Sequence, residues 1–131
     1  MKGLAIDRDA ALASEQVETL RTVVGWDRMQ GCYERILAHS YTHFSIQSEG
    51  RLVAFVNVLS DGLADAFLVD LMVDPGFQGR GMGLTLVRHA IAALKADGIR
   101  CVEVIFEPRL EAFYRRCGFT ILSSGIIDNW S

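Results

Sequence analysis

Apolar and polar residues alternate through the middle of the chain, and further on their spacing becomes that of a helix. Alternation over residues 43–47 and 66–73 predicts two strands, because successive side chains of a strand point to opposite faces, and the largely apolar run at 51–59 predicts a central strand between them. Turn residues separate these strands. From Leu84 to Leu94 apolar residues recur every three or four positions, which indicates an amphipathic helix. The middle of the chain is therefore predicted to be an antiparallel meander followed by a helix.

Weaker patterns predict the elements on either side. They are a strand at 3–6, helices at 14–24 and 29–38, a strand at 101–106, a helix from 107 to 117 and one or two strands within 119–127. Ser14 is the expected N-cap of the first helix. The strand–helix–strand connection that ends at 101–106 has the length of a parallel crossover. The predicted fold class is α+β, with a mixed sheet in one domain over residues 1–131.

The composition argues against several classes of protein. A net charge of −3 without a basic cluster argues against nucleic acid or an anionic membrane as partner. No apolar run reaches the roughly 20 residues of a membrane helix, and acidic residues near the start argue against a secretory signal. The three cysteines form no C-x-x-C pair and the histidines lack zinc-site spacing. We therefore predict reduced thiols, no metal and a cytoplasmic location.

A glycine-rich segment, Gln78-Gly79-Arg80-Gly81-Met82-Gly83, joins the third strand of the meander to the helix. The first N–H groups of a helix have no acceptor within it and point outward at the positive end of its dipole. Phosphate oxygens can accept these groups where side chains leave room, so three glycines beside an arginine predict a diphosphate site. The spacing G-x-G-x-G differs from the G-x-G-x-x-G of dinucleotide-binding folds.

Two motifs resemble the GNAT superfamily of acetyl-CoA-dependent N-acetyltransferases. The first, Gln-x-x-Gly-x-Gly at 78–83 after Val-Asp-Pro-Gly-Phe at 73–77, is similar to the pyrophosphate loop of that family. The second is Ala-Phe-Tyr-Arg-Arg-Cys-Gly-Phe at 112–119, although its alanine lies closer to the Phe-Tyr pair than in the family pattern. The resemblance implies a GNAT-like fold in which the two parallel strands splay apart around acetyl-CoA. The implied cofactor-binding residues are Leu71, Met72, Val73, Gln78, Gly79, Arg80, Gly81, Met82 and Gly83.

The resemblance also implies catalytic roles. Tyr114, in the second motif, is expected to donate a proton or hydrogen bond to the leaving thiolate. Asp70, on the third strand of the meander, is expected to act as the base, orient a water or anchor the substrate ammonium, with a structural role as the alternative. Glu103 competes for the role of base, and His43 and Asp61 are weaker candidates.

The acceptor side is less defined by the residues. The family places two helices over one end of the sheet, so Trp26, Tyr33 and Phe44 are expected in the acceptor wall, with Tyr41 as a further candidate. Core packing is the alternative for each of them. An asparagine that many members carry at the start of the last helix is replaced here by Glu107-Pro108, so no ligand is assigned there.

The residues support three functional hypotheses. The first is an enzyme that moves an acetyl group from acetyl-CoA to a primary amine of a small molecule or peptide by direct attack. The second is a CoA-binding regulatory or sensor module without turnover. The third, a nucleotide-binding oxidoreductase fragment with Glu103 as its acid, is disfavoured by the glycine spacing and the antiparallel meander. The resemblance leaves a homodimer open.

Overall fold

The structure, a computed structural model, describes residues 4–130. It contains a five-stranded sheet in the order β1-β2-β3-β4-β5. The elements are β1 (Ile6–Arg8), α1 (Ser14–Val23), α2 (Tyr33–His39), β2 (Thr42–Ser48), β3 (Arg51–Ser60), β4 (Asp65–Val73), α3 (Met82–Ala96), β5 (Cys101–Val104) and α4 (Glu111–Arg116). Single 3₁₀ turns precede α3 and α4, at Pro75–Phe77 and Pro108–Leu110.

The sheet is antiparallel from β1 to β4 and parallel between β4 and β5, which confirms the predicted mixed sheet. The parallel ladder ends where Leu68 pairs with Val104. β4 continues to Val73, while the chain after β5 departs, so residues 69–73 have no ladder partner on that side within the described structure. The two strands therefore splay, as expected.

The core has two parts, one on each face of the sheet. β3 is buried without interruption from Leu52 to Val58, because helices cover it on both sides. One core cluster contains the apolar stripe of α3, including Leu86 and Leu94. The other contains Val17 and Leu20 of α1, Tyr33 of α2 and their contacts on β3 and β4. None of the helices in the described part of the chain is both long and apolar enough to cross a membrane.

Several predicted boundaries in the N-terminal part are wrong. β1 begins at Ile6 rather than residue 3, and Gly3 lies outside the described residues. Ala13, not Ser14, is the N-cap of α1. The hydroxyl of Ser14 donates to Glu18 and accepts the backbone N–H of Tyr33 at 3.1 Å, so it caps α2 instead. The helix predicted over 29–38 starts later, at Tyr33, after residues with positive φ at 29 and 31.

The C-terminal part also differs from expectation. β5 ends at Val104, two residues earlier than predicted, and the last helix divides into the 3₁₀ turn and α4. Gly118, with φ of 107°, ends α4 as expected. The strands predicted within 119–127 are absent, because this segment forms no ladder with any described strand.

Candidate active site

A bulge in β4 lies beside the opening between β4 and β5. β4 holds one residue more than β3 between two successive pairs, Phe55–Met72 and Asn57–Val69. Asp70, within this bulge, has φ of 56°, in the left-handed region that residues other than glycine adopt infrequently. The unbroken alternation predicted for this strand is therefore wrong. The bulge interrupts the β3–β4 ladder next to the cleft, and pairing resumes at Met72 and Val73.

Unpaired backbone N–H groups line the loop between β4 and α3. From Gly79 to Leu84, six consecutive N–H groups make no hydrogen bond to any residue that the structure describes. The first helical bond is made by Thr85, whose N–H donates to the carbonyl of Gly81 at 3.0 Å. α3 is 15 residues long, so its dipole adds positive potential at this end. The loop therefore presents a row of donors suited to an anion.

The three glycines of the loop differ in backbone conformation and in surroundings. Gly79 and Gly81 have φ of 78° and 77°, and a Cβ at either position would meet no protein atom within 4 Å. Glycine is needed there for the backbone conformation and for the open space next to the N–H groups. Gly83 lies inside α3, where a Cβ would be 3.5 Å from Phe113 and from Val73. A Cβ at position 83 would thus make only ordinary van der Waals contacts with α4 and β4.

A cavity of about 590 Å³ joins this loop to the end of β4. Eight of the nine residues predicted to bind the coenzyme line it, and Arg80 is the exception. The lining consists of Val24, Trp26, Leu71, Met72, Val73, Gln78, Gly79, Gly81, Met82, Gly83, Leu84, Arg109, Leu110, Phe113, Tyr114 and Arg116. Gln78 also fixes the loop, since its side-chain amide donates to the carbonyl of Val73 at 2.8 Å.

Tyr114 is the cavity residue best suited to donate a proton or a hydrogen bond. Its ring is buried by a stack on Phe106 at 4.6 Å and by edge contacts with Phe113 and Phe119. Its hydroxyl has no hydrogen-bond partner within the described residues. Burial, with a smaller contribution from Cys117, raises the pKa of Tyr114 to about 12. The hydroxyl is therefore protonated at neutral pH and free to donate.

Asp70 lies next to the cavity but does not line it. Its carboxylate accepts the hydroxyl of Tyr33 at 2.8 Å and lies 3.7 Å from the guanidinium of Arg21. Arg21 in turn donates to the Tyr33 oxygen at 2.9 Å. Burial, and then the charge of Asp70, raise the pKa of Tyr33 far above its ordinary value, so this hydroxyl stays a donor. The three residues form a chain that ties α1 and α2 to the bulge.

Replacing Tyr33 by Phe is expected to lower the free energy of unfolding by about 1–3 kcal/mol, because Arg21 and Asp70 both lose a buried partner. Urea denaturation followed by circular dichroism measures this change. The same substitution at Tyr41, whose hydroxyl bonds Asp97 on the surface, is the control and should have a smaller effect. Equal losses for the two variants would contradict a structural role for the chain.

The predicted acceptor residues occupy different places. Trp26 lines the cavity, 40% exposed, with the guanidinium of Arg21 5.2 Å from its ring centre. Tyr33 is fully buried and reaches the site only through Asp70. Phe44 is fully buried in the α3-side core, 5.5 Å from the ring of His89. We therefore place Phe44 in the core and not in the acceptor wall.

The other candidate bases lie away from the cavity. The neighbouring Asp65 carboxylate, chiefly by a hydrogen bond, raises the pKa of Glu103, which pairs with the opposite end of β4. The ring of His43 contacts the carbonyl of Ala10 at 2.9 Å. Asp61 accepts three backbone N–H groups of its own turn, and these hydrogen bonds lower its pKa. Each of these side chains has a structural partner.

Sequence reasoning missed two cations of the cavity wall, Arg109 and Arg116. Arg109 precedes the second motif and Arg116 lies within it, and both face the loop because α4 packs beside the start of α3. The cluster of three arginines within 109–116 was the available signal. Val24 was also missed, since only the fold brings the end of α1 to this site.

Fold and site together place a row of free N–H donors at the start of α3, beside two splayed parallel strands. Residues 8–119 match the family model described as acetyltransferase (GNAT) family. The chain therefore belongs to the GNAT acetyltransferase family, and the fold agrees. A solved GNAT family acetyltransferase from Streptococcus pneumoniae is 28% identical and superposes with a TM-score of 0.81 over 95% of this chain and 96% of that one.

Two curated plant proteins are similar in sequence. GCN5-related N-acetyltransferase 1, chloroplastic, of Arabidopsis thaliana is 32% identical over 115 residues, which cover 86% of this chain and 58% of that protein. Serotonin N-acetyltransferase 2, chloroplastic, of Oryza sativa subsp. japonica is 36% identical over 74 residues, which cover 56% of this chain and 37% of that protein. The matched region is thus less than two thirds of either relative.

Proposed function

We propose that the protein is an N-acetyltransferase that moves the acetyl group of acetyl-CoA to a primary amine of a small molecule or peptide. The observation that carries this proposal is the row of six free N–H groups beside the unpaired end of β4. A diphosphate and an extended amide-containing arm are the two parts of the coenzyme that such neighbouring features suit. Membership of the GNAT family supports the same ligand.

In this proposal, different residues of the cavity would hold different parts of the coenzyme. The N–H groups of 79–84 would hold the diphosphate, and the guanidinium groups of Arg109 and Arg116 would add positive charge. The open edge of β4 at Leu71–Val73 would pair with the pantetheine arm, and its N–H groups would stabilise the carbonyl oxygen during attack. When bound, acetyl-CoA supplies a thioester-linked acetyl group and a thiolate that departs as the amine attacks.

Tyr114 would stabilise the departing thiolate by a hydrogen bond. A free thiol has a pKa of about 8.5, whereas that of Tyr114 is about 12. Full transfer of the tyrosine proton is therefore unfavourable, by about 5 kcal/mol at one pKa unit per 1.36 kcal/mol. Donation without transfer still lowers the energy of the thiolate.

In this proposal, Asp70 positions the backbone of the β4 bulge. Its contacts with Tyr33 and Arg21 hold the bulge in its left-handed conformation and leave the carboxylate outside the cavity lining. Among the described residues that line the cavity there is no carboxylate and no imidazole. We infer that the acceptor amine loses its proton to water, either before it binds or within the site.

The pH dependence of kcat/KM is then expected to follow the acceptor. Since a protonated amine cannot attack, the rate should rise with pH up to the acceptor's own pKa, about 8 for a peptide α-amine and about 10 for an alkylamine. Tyr114, with a pKa of about 12, keeps its proton over this range, so no descending limb is expected below pH ~11. Profiles for the two amines that level off at one common pH would instead indicate a base on the protein.

The acceptor class remains part of the proposal. Trp26 offers an exposed indole face at the cavity, which suits an aromatic or alkyl amine. The name of the rice relative contains an arylalkylamine, serotonin, and supports testing this class first. The cytoplasmic location stays a prediction, and both plant relatives are named as chloroplastic.

Two measurements on the purified chain test the proposed function. Calorimetry with acetyl-CoA reports binding, and release of free thiol in the presence of arylalkylamines, polyamines, amino acids and peptides reports transfer. Binding together with amine-dependent thiol release is the expected result. The absence of any acetyl-CoA binding would overturn the proposal.

A CoA-binding sensor is the second candidate, and one observation favours it. The cavity lining includes the glycine loop and the end of β4 that would hold the coenzyme. The described residues of this lining include no carboxylate or imidazole that could accept a proton. Micromolar binding of acetyl-CoA with no thiol release for any amine, at pH 7 and at pH 9, would favour the sensor over the enzyme.

A further inference from the structure

Arg21, on α1, is a buried cation whose contacts extend in two directions. The residue is only 7% exposed, although its guanidinium is charged at neutral pH. Burying a charge costs free energy unless the charge is paired and hydrogen-bonded. A well-packed apolar residue of similar volume would avoid that cost. The groups that Arg21 contacts therefore indicate what its charge contributes.

On one side, Arg21 contacts the segment between α1 and α2 (residues 24–32, the α1–α2 loop). Its Nε donates to the backbone carbonyl of Asp27 at 2.7 Å, and one terminal nitrogen donates to the Asp27 carboxylate at 2.5 Å. The guanidinium lies over the ring of Trp26, 5.2 Å from its centre. The backbone N–H of Trp26 donates to the carbonyl of Arg21 at 2.8 Å. Arg21 thus holds both the backbone and the ring of the indole that lines the cavity.

On the other side, the same guanidinium contacts the residues that hold the bulge of β4. Its second terminal nitrogen donates to the hydroxyl oxygen of Tyr33 at 2.9 Å and lies 3.7 Å from the carboxylate of Asp70. Asp70 directly precedes Leu71, where the open edge of β4 faces the cavity. One side chain therefore contacts both the acceptor wall and the strand end proposed to hold the acetyl group.

This bridge requires the shape of an arginine side chain. A guanidinium presents five N–H donors in a rigid planar fork, whereas the ammonium of lysine presents three donors from a single atom. In Arg21, Nε and one terminal nitrogen bond the α1–α2 loop while the other terminal nitrogen bonds Tyr33. A single ammonium group could not occupy both positions, so lysine would serve one side of the bridge at most.

The far end of the α1–α2 loop is held separately, by Glu18. One carboxylate oxygen of Glu18 accepts the backbone N–H of Gly31 at 3.1 Å, and the other lies 3.4 Å from Nε of Arg28. Loss of the Arg21 contacts would therefore release the end of the loop that carries Trp26 and leave the end next to α2 attached. Within this loop, the position of Trp26 is what depends on Arg21.

We propose that Arg21 is a positioning residue that fixes Trp26, at the acceptor wall, relative to the end of β4 that holds the acetyl group. The inference rests on the proposed function, because it concerns an amine that lies on Trp26 and attacks an acetyl group at Leu71–Val73. A displacement of about 1 Å between reacting groups can cost about 100-fold in rate. Since the guanidinium covers one face of the indole, an aromatic acceptor would stack on the part of the ring that remains open at the cavity.

Two substitutions test the two sides of the bridge separately, with thiol release as the assay. Asp27→Ala removes a contact on the loop side, and this side chain is 76% exposed, so the fold should persist. It should raise KM for 2-phenylethylamine about 5- to 10-fold and leave kcat, and KM for butylamine, within about twofold, because only stacking on Trp26 is disturbed. Tyr33→Phe removes a contact on the bulge side. It should lower kcat about 10-fold for both amines and leave both KM values within about twofold.

Substitutions of Arg21 itself should combine these effects. Arg21→Met should raise KM for 2-phenylethylamine and lower kcat for both amines, and Arg21→Lys should recover one of these changes but not both. Arg8→Met is the matched control. The Arg8 guanidinium donates to Asp97 at 2.7 Å and lies 5.5 Å from the ring centre of Phe44, and neither it nor these partners line the cavity. This control should leave both kinetic constants unchanged, whatever its effect on the urea midpoint.

Fluorescence of Trp26 reports its position without turnover. The chain has two tryptophans, so Trp26 is the only one in a Trp130→Phe background. In this background, Arg21→Met and Asp27→Ala should increase the quenching of Trp26 by acrylamide, because the ring is held less firmly against α1. Arg8→Met should not change it. Quenching that is the same in all of these variants would overturn the proposal.

The kinetic outcomes distinguish this inference from the proposed function. If an active wild type and Arg21→Met share the same kcat and KM values, the inference is overturned and the proposed function stands. Complete recovery by Arg21→Lys, or equal changes for the two amines in Asp27→Ala, would also overturn the inference. If Arg21→Met does not fold, Asp27→Ala and Tyr33→Phe still decide, since both keep Arg21. A wild type that releases no thiol with any amine would overturn the proposed function, and this inference with it.

Discussion

Gly81→Val is expected to abolish measurable acetyl-CoA binding while the chain stays folded. Gly81 has φ of 77°, and a β-branched residue disfavours this left-handed conformation by about 1–2 kcal/mol. The new side chain would also fill the space next to the free N–H groups of the loop. Losing two charge-assisted hydrogen bonds to phosphate, at about 1.5–3 kcal/mol each, weakens binding at least about 100-fold. Isothermal calorimetry measures this loss.

Gly98→Val is the matched control for Gly81→Val. Gly98 lies at the other end of α3, has φ of 86° and has equally open surroundings. The backbone strain is therefore similar in the two variants, and the urea midpoint should fall by a similar amount. Only the valine at position 81 stands beside the row of N–H groups, so only that variant should lose the coenzyme. Normal affinity in Gly81→Val would remove the loop from the binding site.

Most of the fold could be predicted because it depends on local signals. The meander follows from apolar alternation in its outer strands and a largely apolar run in β3, separated by short turns, and the parallel pair follows from the length of the connection through α3. The start of α3 follows from glycines at positions that require positive φ. These features are set by residues close to one another in the chain.

What could not be predicted depends on distant contacts. The bulge at Asp70 has no local signal, since it is held by Tyr33 and Arg21 from another part of the chain. Residues 119–127 carry the pattern of a strand, but a strand requires a partner, and this segment pairs with no strand that the structure describes. A hydrophobic pattern reports the tendency of a segment to form a strand, but it does not report whether a partner strand is present.

The candidate site shows the same division. Residues 78–83 could be predicted as a phosphate site because their glycines stand directly before a helix, where free N–H groups suit a phosphate. The aromatic residues could not be sorted by type alone. Trp26 lines the cavity and Phe44 lies in the core, and what separates them is which element and face each one occupies. Arg109 and Arg116 join the site only through the packing of α4 against α3.

Tyr114→Phe is expected to lower kcat for acetyl transfer by about 10- to 100-fold and to leave the affinity for acetyl-CoA within about twofold. The substitution deletes one hydroxyl and keeps the ring contacts with Phe106, Phe113 and Phe119. A hydrogen bond to a charged group contributes about 1.5–3 kcal/mol, and each 1.4 kcal/mol of barrier is tenfold in rate. Thiol release under saturating substrates measures kcat, and calorimetry measures affinity.

Two roles for Tyr114 can be separated by whether its substitution lowers kcat, the affinity for acetyl-CoA, or neither. If the hydroxyl acts on the leaving thiolate, the loss appears in kcat and not in binding of the coenzyme. If Tyr114 only packs, the Phe variant should match the wild type, since the hydroxyl has no partner among the described residues. Tyr41→Phe, a hydroxyl deletion at the surface contact with Asp97, is the control and should leave kcat unchanged. An unchanged kcat in Tyr114→Phe would remove this residue from the mechanism.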